Sequence, residues 1–194
     1  DRLYTLFSKA SELGSLIDPG ASEGDLLTAE FRELSPLLDQ AVRTWGGRDV
    51  EVEAIGVSAQ GMARAAKLLV SQFTLVTTNV PFLGRGKQSD VLSSYCEKAH
   101  PTAKGDLATT FVERCLAFCD AEGTAALVTP QNWLFLSTYK HLRRELLAVA
   151  QWMLMARLGA RAFETITGEI VNVVLLGLTR SRPHRANHFA GYDA

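Results

Sequence analysis

The sequence has 194 residues, of which 47% are apolar and 21% charged, and its formal net charge is −1. That composition supports one packed core and excludes disordered, collagen-like and fibrous chains. No apolar run reaches the length of a membrane span, no charged-then-apolar leader opens the chain, and the lack of a basic excess argues against strong autonomous nucleic-acid binding. The expected setting is the cytoplasm, with no membrane partner.

Helices are expected first. Leu3, Leu6, Phe7 and Ala10 recur at helical spacing until Asp18-Pro19-Gly20 breaks the chain. Ser22 is a fair N-cap for a longer helix carrying Leu26, Leu27, Phe31, Leu34, Leu37 and Leu38, which Trp45-Gly46-Gly47 ends. Ser58 to Val70, rich in alanine, reads as a third.

The pattern then changes. Phe73 to Thr77 is a short β-prone run, apolar on both faces, as a buried parallel strand requires. Asp106 can cap a helix in which Leu107, Phe111, Cys115 and Phe118 repeat. Glu122-Gly123 turns, and Thr124 to Thr129 reads as a second strand. Tyr139 to Val149 is amphipathic, with Leu142, Leu146 and Val149 inward. Trp152 to Arg157 and Ile170 to Leu178 complete about four strands. The expected fold is α/β, a partial Rossmann-like sheet with crossover helices behind a helical segment. The expected divisions are 1–71 (helical), 72–180 (sheet) and 181–194, a polar tail with Arg180, Arg182, His184, Arg185 and His188 around its start.

Three cysteines without a secretion signal fit a reducing compartment. Cys115 and Cys119 lie one turn apart in an apolar pattern and, with Cys96, read as small hydrophobes rather than zinc ligands. No metal is expected. Glu113 and Arg114 read as a solvated pair, and Lys140, His141, Arg143 and Arg144 as a solvated basic face. Gly84-Arg85-Gly86-Lys87 fails as a phosphate loop, because Pro81 and Gln88 stand where that pattern needs glycine and Ser or Thr.

In open α/β sheets, chemistry gathers at the carboxyl ends of strands, which directs attention to the residues after Thr77 and Thr129. There the chain has Asn79-Val80-Pro81-Phe82 and Pro130-Gln131-Asn132-Trp133. The first resembles the Asn-Pro-Pro-Tyr/Phe motif of adenine-specific DNA methyltransferases. Further blocks resemble the same family in order: Gly105 to Arg114, Leu127 to Phe135, Arg157-Leu158-Gly159 and Phe163 to Asn172. The likeness is greatest to the large restriction-modification and phage-defence methylases, including the BREX type. It runs from about residue 73 to 178, with Leu13 to Ile17 a weaker match upstream.

The resemblance implies methyl transfer from S-adenosylmethionine to the exocyclic N6 amine of an adenine flipped out of DNA. That amine is a poor nucleophile, because its lone pair is delocalised into the ring. Two acceptors in line with its hydrogens draw the nitrogen toward tetrahedral geometry. The family assigns these to the Asn79 side-chain oxygen and the carbonyl at position 80, with Pro81 holding the turn and Phe82 stacking on the base. Val80 departs from the usual proline, which costs rigidity and adds an N–H to satisfy. Arg85 and Lys87 either meet DNA phosphates or belong to a solvated loop. Gln131, Asn132 and Trp133 either line the base pocket or open a helix around a buried tryptophan.

The family's glycine-rich donor turn and its following acidic residue are not found. The donor-binding half is therefore expected upstream in a longer parent, with this portion inactive alone. The Phe73–Thr77 edge is expected to be covered by the N-terminal helices or by a second chain, as a homodimer. A protein-glutamine methyltransferase, or a non-catalytic interaction module on the same scaffold, are the alternatives.

Overall fold

The computed structural model describes residues 7–20, 40, 61–62, 64–158 and 172–193. The helix expected from Ser22, its Trp45-Gly46-Gly47 end, the Ser58 start and the Gly159 and Phe163–Val171 blocks lie outside the described residues. The chain divides into two compact units, Asp1–Ser71 and Gln72–Ala194.

In the first unit, Ala10–Leu13 forms one helical turn and Gly14–Leu16 a tighter one. Gly14 takes φ +51°, a conformation that a side chain disfavours. Leu13, Leu16 and Ile17 are buried. The Asp18 carboxylate accepts from the Gly20 amide at 2.9 Å, which closes the break expected there. Residues 64–70 are helical.

The second unit is a five-stranded mixed sheet. Its strands are β1 (Phe73–Asn79), β2 (Cys119–Pro130), β3 (Gln151–Leu158), β4 (Val173–Thr179) and β5 (Ala190–Asp193), in the order β1-β2-β4-β3-β5. β1 and β2 are parallel, β4 is antiparallel to β2 and β3, and β5 is parallel to β3. The carboxyl ends of β1, β2 and β3 therefore share one side of the sheet. Among the described residues three helices join the strands: α1 (Asp90–Ala99), α2 (Leu107–Phe118) and α3 (Lys140–Val149).

Local chemistry sets these elements. Ser89 caps α1 by accepting from the Leu92 amide at 3.2 Å, and Asp106 caps α2 by accepting from Ala108 at 2.8 Å. Val112, Cys115 and Leu116 of α2 and Leu142 and Leu146 of α3 pack into one core with Ala125, Leu127, Leu176 and Leu178 of the sheet.

Several expectations change. Val149 is exposed, and the inward position after Leu146 passes to Ala150, which completes a four-residue spacing. Arg114 is buried rather than solvated, its guanidinium lying 4.1 Å from the Phe118 ring centroid. Glu113 accepts from Thr102 at 3.1 Å and lies 2.7 Å from His100 Nδ1. β2 starts at Cys119, and the Glu122-Gly123 turn is a bulge inside it, with Glu122 at φ 69°. A Cβ on Gly123 would fall 2.7 Å from the Phe73 carbonyl. Among the described residues β1 lies at the edge of the sheet, and its Phe73 and Leu75 are exposed. The 181–194 stretch stays mostly exposed, but it carries β5 and is tied to β3 where Gln151 donates to Ser181. No helix among the described residues is long and apolar enough to cross a membrane.

Candidate active site

Asn79 is the last residue of β1 and is exposed. Val80 follows, 3% exposed, with its side chain in the core and its N–H donating to the Val128 carbonyl at 3.4 Å. The extra N–H that valine brings to this position is thereby satisfied by the neighbouring strand. One buried residue thus fixes the backbone on which the Asn79 amide and the position-80 carbonyl stand. Pro81 and Phe82 are exposed immediately beyond.

Asp106 holds the loop that follows. Besides capping α2, its Oδ1 accepts from the Leu83 amide at 3.4 Å. Leu107 N–H donates to the Leu83 carbonyl at 2.9 Å, and Arg85 N–H to the Gly105 carbonyl at 3.1 Å. Gly105 lies against Tyr139, whose hydroxyl would be 2.7 Å from any Cβ added there. Burial, and then the negative charge of Asp106, push the Tyr139 hydroxyl pKa up.

The loop cations differ. Arg85 donates to Glu97 at 2.5 Å, and Lys104 to the other Glu97 oxygen at 2.6 Å. Those two bonds, Lys104 first, hold the Glu97 carboxyl below its ordinary range. Arg85 is thus engaged within the protein, whereas Lys87 is exposed.

At the end of β2, Gln131 is fixed from both sides. Its N–H donates to the Asn172 carbonyl at 3.0 Å, and its Oε1 accepts from Arg157 Nε at 3.0 Å. Asn132 is exposed. Trp133 is 1% exposed: its Nε1 donates to Thr129 at 3.0 Å, and its ring meets Trp152 at 6.1 Å. The tryptophan of this segment is thus buried, as one of the two sequence readings expected. Arg143 donates to the carbonyls of both Trp133 and Leu136 at 2.7 Å, so this cation of α3 clamps the loop. Sequence reasoning missed Phe135, which is 61% exposed on that loop. It also missed the second use of Arg157, over the Phe135 ring.

Among the described residues no cluster of His, Cys, Asp or Glu is arranged to hold a metal ion. All three cysteines are free and buried. Burial raises the Cys96 and Cys119 thiol pKa values and pushes that of Cys115 up to about 12.

A family model described as Eco57I restriction-modification methylase matches residues 45–160. The chain is 39% identical over 114 residues to the adenine-specific methyltransferase PglX of Lacticaseibacillus casei (strain Zhang), covering 58% of this chain and 9% of that protein. It is 31% identical over 170 residues to the adenine-specific methyltransferase BrxX of Escherichia coli O9:H4 (strain HS), covering 88% of this chain and 14% of that protein. The chain therefore spans a small part of the curated relatives it matches. The fold is similar to that of a class I S-adenosylmethionine-dependent methyltransferase structure from Listeria monocytogenes, with TM-score 0.50, 13% identity, and 73% and 45% of the two chains covered. It is also similar to the protein in a DrdV–DNA complex, with TM-score 0.51, 14% identity, and 70% and 16% covered.

Proposed function

This chain belongs to the Eco57I restriction-modification methylase family, and from that premise we propose that it is the acceptor side of a cytoplasmic DNA adenine methyltransferase. The parent transfers a methyl group from S-adenosylmethionine to the exocyclic N6 amine of adenine in DNA, in restriction-modification or phage defence. The observation that carries this reading is the Asn79–Val80 junction: an exposed amide at a strand's carboxyl end, on backbone anchored by the buried Val80 side chain.

The Asn79 side-chain oxygen and the Val80 carbonyl accept the two hydrogens of the target amine and orient its lone pair. Phe82 covers the base. Preorganised acceptors do this work by position and electrostatics. Lys87, Gln131 and Asn132 are the polar groups at the same side of the sheet that meet the DNA substrate, whereas Arg85 orders the loop through Glu97.

In this reading the chain supplies the acceptor side, and the donor site lies elsewhere in the parent. S-adenosylmethionine, when bound in the parent, provides an electrophilic sulfonium methyl. The described residues offer no glycine-rich strand–turn for it, and among them β2 is the only sheet neighbour of β1. Phe73 and Leu75 on β1, with Met153 and Leu154 on β3, leave exposed apolar surface on the sheet. Both features, and the small share of the relatives' length, support a donor-binding half elsewhere in the parent that continues the sheet beyond β1.

The test is nucleoside analysis of DNA incubated with the parent enzyme and labelled S-adenosylmethionine. Label in N6-methyladenine is expected. Label in cytosine, or in a protein glutamine, would contradict the assignment.

A further inference from the structure

Phe135 stands on a rigid loop. Its N–H donates to the Asn132 carbonyl at 3.0 Å, Trp133 anchors the segment in the core, and Arg143 clamps the carbonyls on either side. A large aromatic side chain is thus presented to solvent on backbone that has few alternatives. A single exposed phenylalanine is ordinary by itself. What distinguishes this one is the cation against it.

The Arg157 guanidinium lies 5.5 Å from the Phe135 ring centroid. Its Nε donates to Gln131 at 3.0 Å and its Nη1 to Asp193 on β5 at 3.0 Å. The group is engaged by Gln131 just past β2 and by Asp193 of β5. A cation over one face of a ring leaves the opposite face for a flat partner.

We propose that Phe135, backed by Arg157, is a stacking platform for a nucleobase next to the target adenine. The platform rests on the functional reading above and deepens it. Phe135 stands on the loop after β2, the strand beside β1, so the platform lies at the same side of the sheet as Asn79. In the functional reading above Phe82 covers the base whose amine meets Asn79, and Phe135 is assigned to the base beside it. Phe135 is the binding residue, and Arg157 is a positioning residue that acts through it.

The experiment uses the parent enzyme with plasmid DNA and S-adenosylmethionine. Phe135→Ala is expected to raise the KM for DNA about tenfold, as the loss of one stacked base does, with kcat changed less than about twofold. Phe135→Trp should restore the KM, Phe135→Leu should not, and Arg157→Gln should raise it by less than Phe135→Ala does. Donor affinity should be the same in all four. Unchanged KM in Phe135→Ala overturns the platform, as does full rescue by Phe135→Leu, which would mark a plain apolar contact. Failure of Phe135→Trp to rescue overturns it too, because the loss would then be one of fold. Asn79→Ala in the same assay separates the two claims: if it keeps full activity, the functional reading itself has failed.

Discussion

The Val80 N–H donates to the Val128 carbonyl at 3.4 Å, which carries the parallel β1–β2 ladder one residue past Asn79. At that length the bond is weak, and the burial of the Val80 side chain does most of the anchoring. Val80→Pro loses the bond and gains backbone restriction, two effects of about 1 kcal/mol each and of opposite sign. Urea unfolding should therefore shift by less than about 1 kcal/mol. A loss above about 3 kcal/mol would mean that proline does not replace the packing of the buried Val80 side chain.

Asp106 serves a helix and a loop with one carboxylate. Asp106→Ala should destabilise the chain by about 2 kcal/mol, combining a lost N-cap with an unpaired Leu83 amide. Asp106→Asn should keep most of that. Hydrogen exchange at residues 83–88 should rise in the alanine variant. A wild-type unfolding midpoint for Asp106→Ala would contradict the dual role.

The thiols provide a pH-dependent prediction. A raised pKa means a smaller thiolate fraction at any given pH, and thiolate is the reactive form. With Cys115 at about 12 and the other two raised by burial, all three should resist iodoacetamide at pH 8 and react only after unfolding. Mass spectrometry after timed alkylation reads this directly. Labelling of the folded chain within minutes would show that a thiol is accessible.

Calorimetric titration with S-adenosylmethionine tests the separation of the donor half. The parent should bind and this chain should show no heat. Clear micromolar binding to the chain alone would place a donor site within it.

The parts legible in the sequence were those set by local rules. Asp106 as a cap, the Asp18-Pro19-Gly20 break and the two strands read as Phe73–Thr77 and Thr124–Thr129 follow from short-range chemistry and periodicity, although β1 runs on to Asn79 and β2 spans Cys119–Pro130. α1 escaped notice because Leu92 and Cys96 are its only buried positions, although Ser89 and a four-residue spacing marked it. β5 pairs with β3 from more than thirty residues away, and its exposed Ala190–Asp193 carries no alternation. Trp133 and Phe135 look alike in sequence as neighbouring aromatics. Only the turn geometry sends the first inward and the second outward. Arg114 reads as a surface charge because its burial is set by tertiary packing, although Phe118 stands one helical turn on.

The most direct test is Asn79→Ala in the parent, measured as methyl groups transferred from labelled S-adenosylmethionine into DNA adenine. Loss of the transition-state acceptor should lower kcat by about 100-fold or more, with donor binding unchanged. Transfer at the wild-type rate would remove Asn79 from the chemistry and contradict the account.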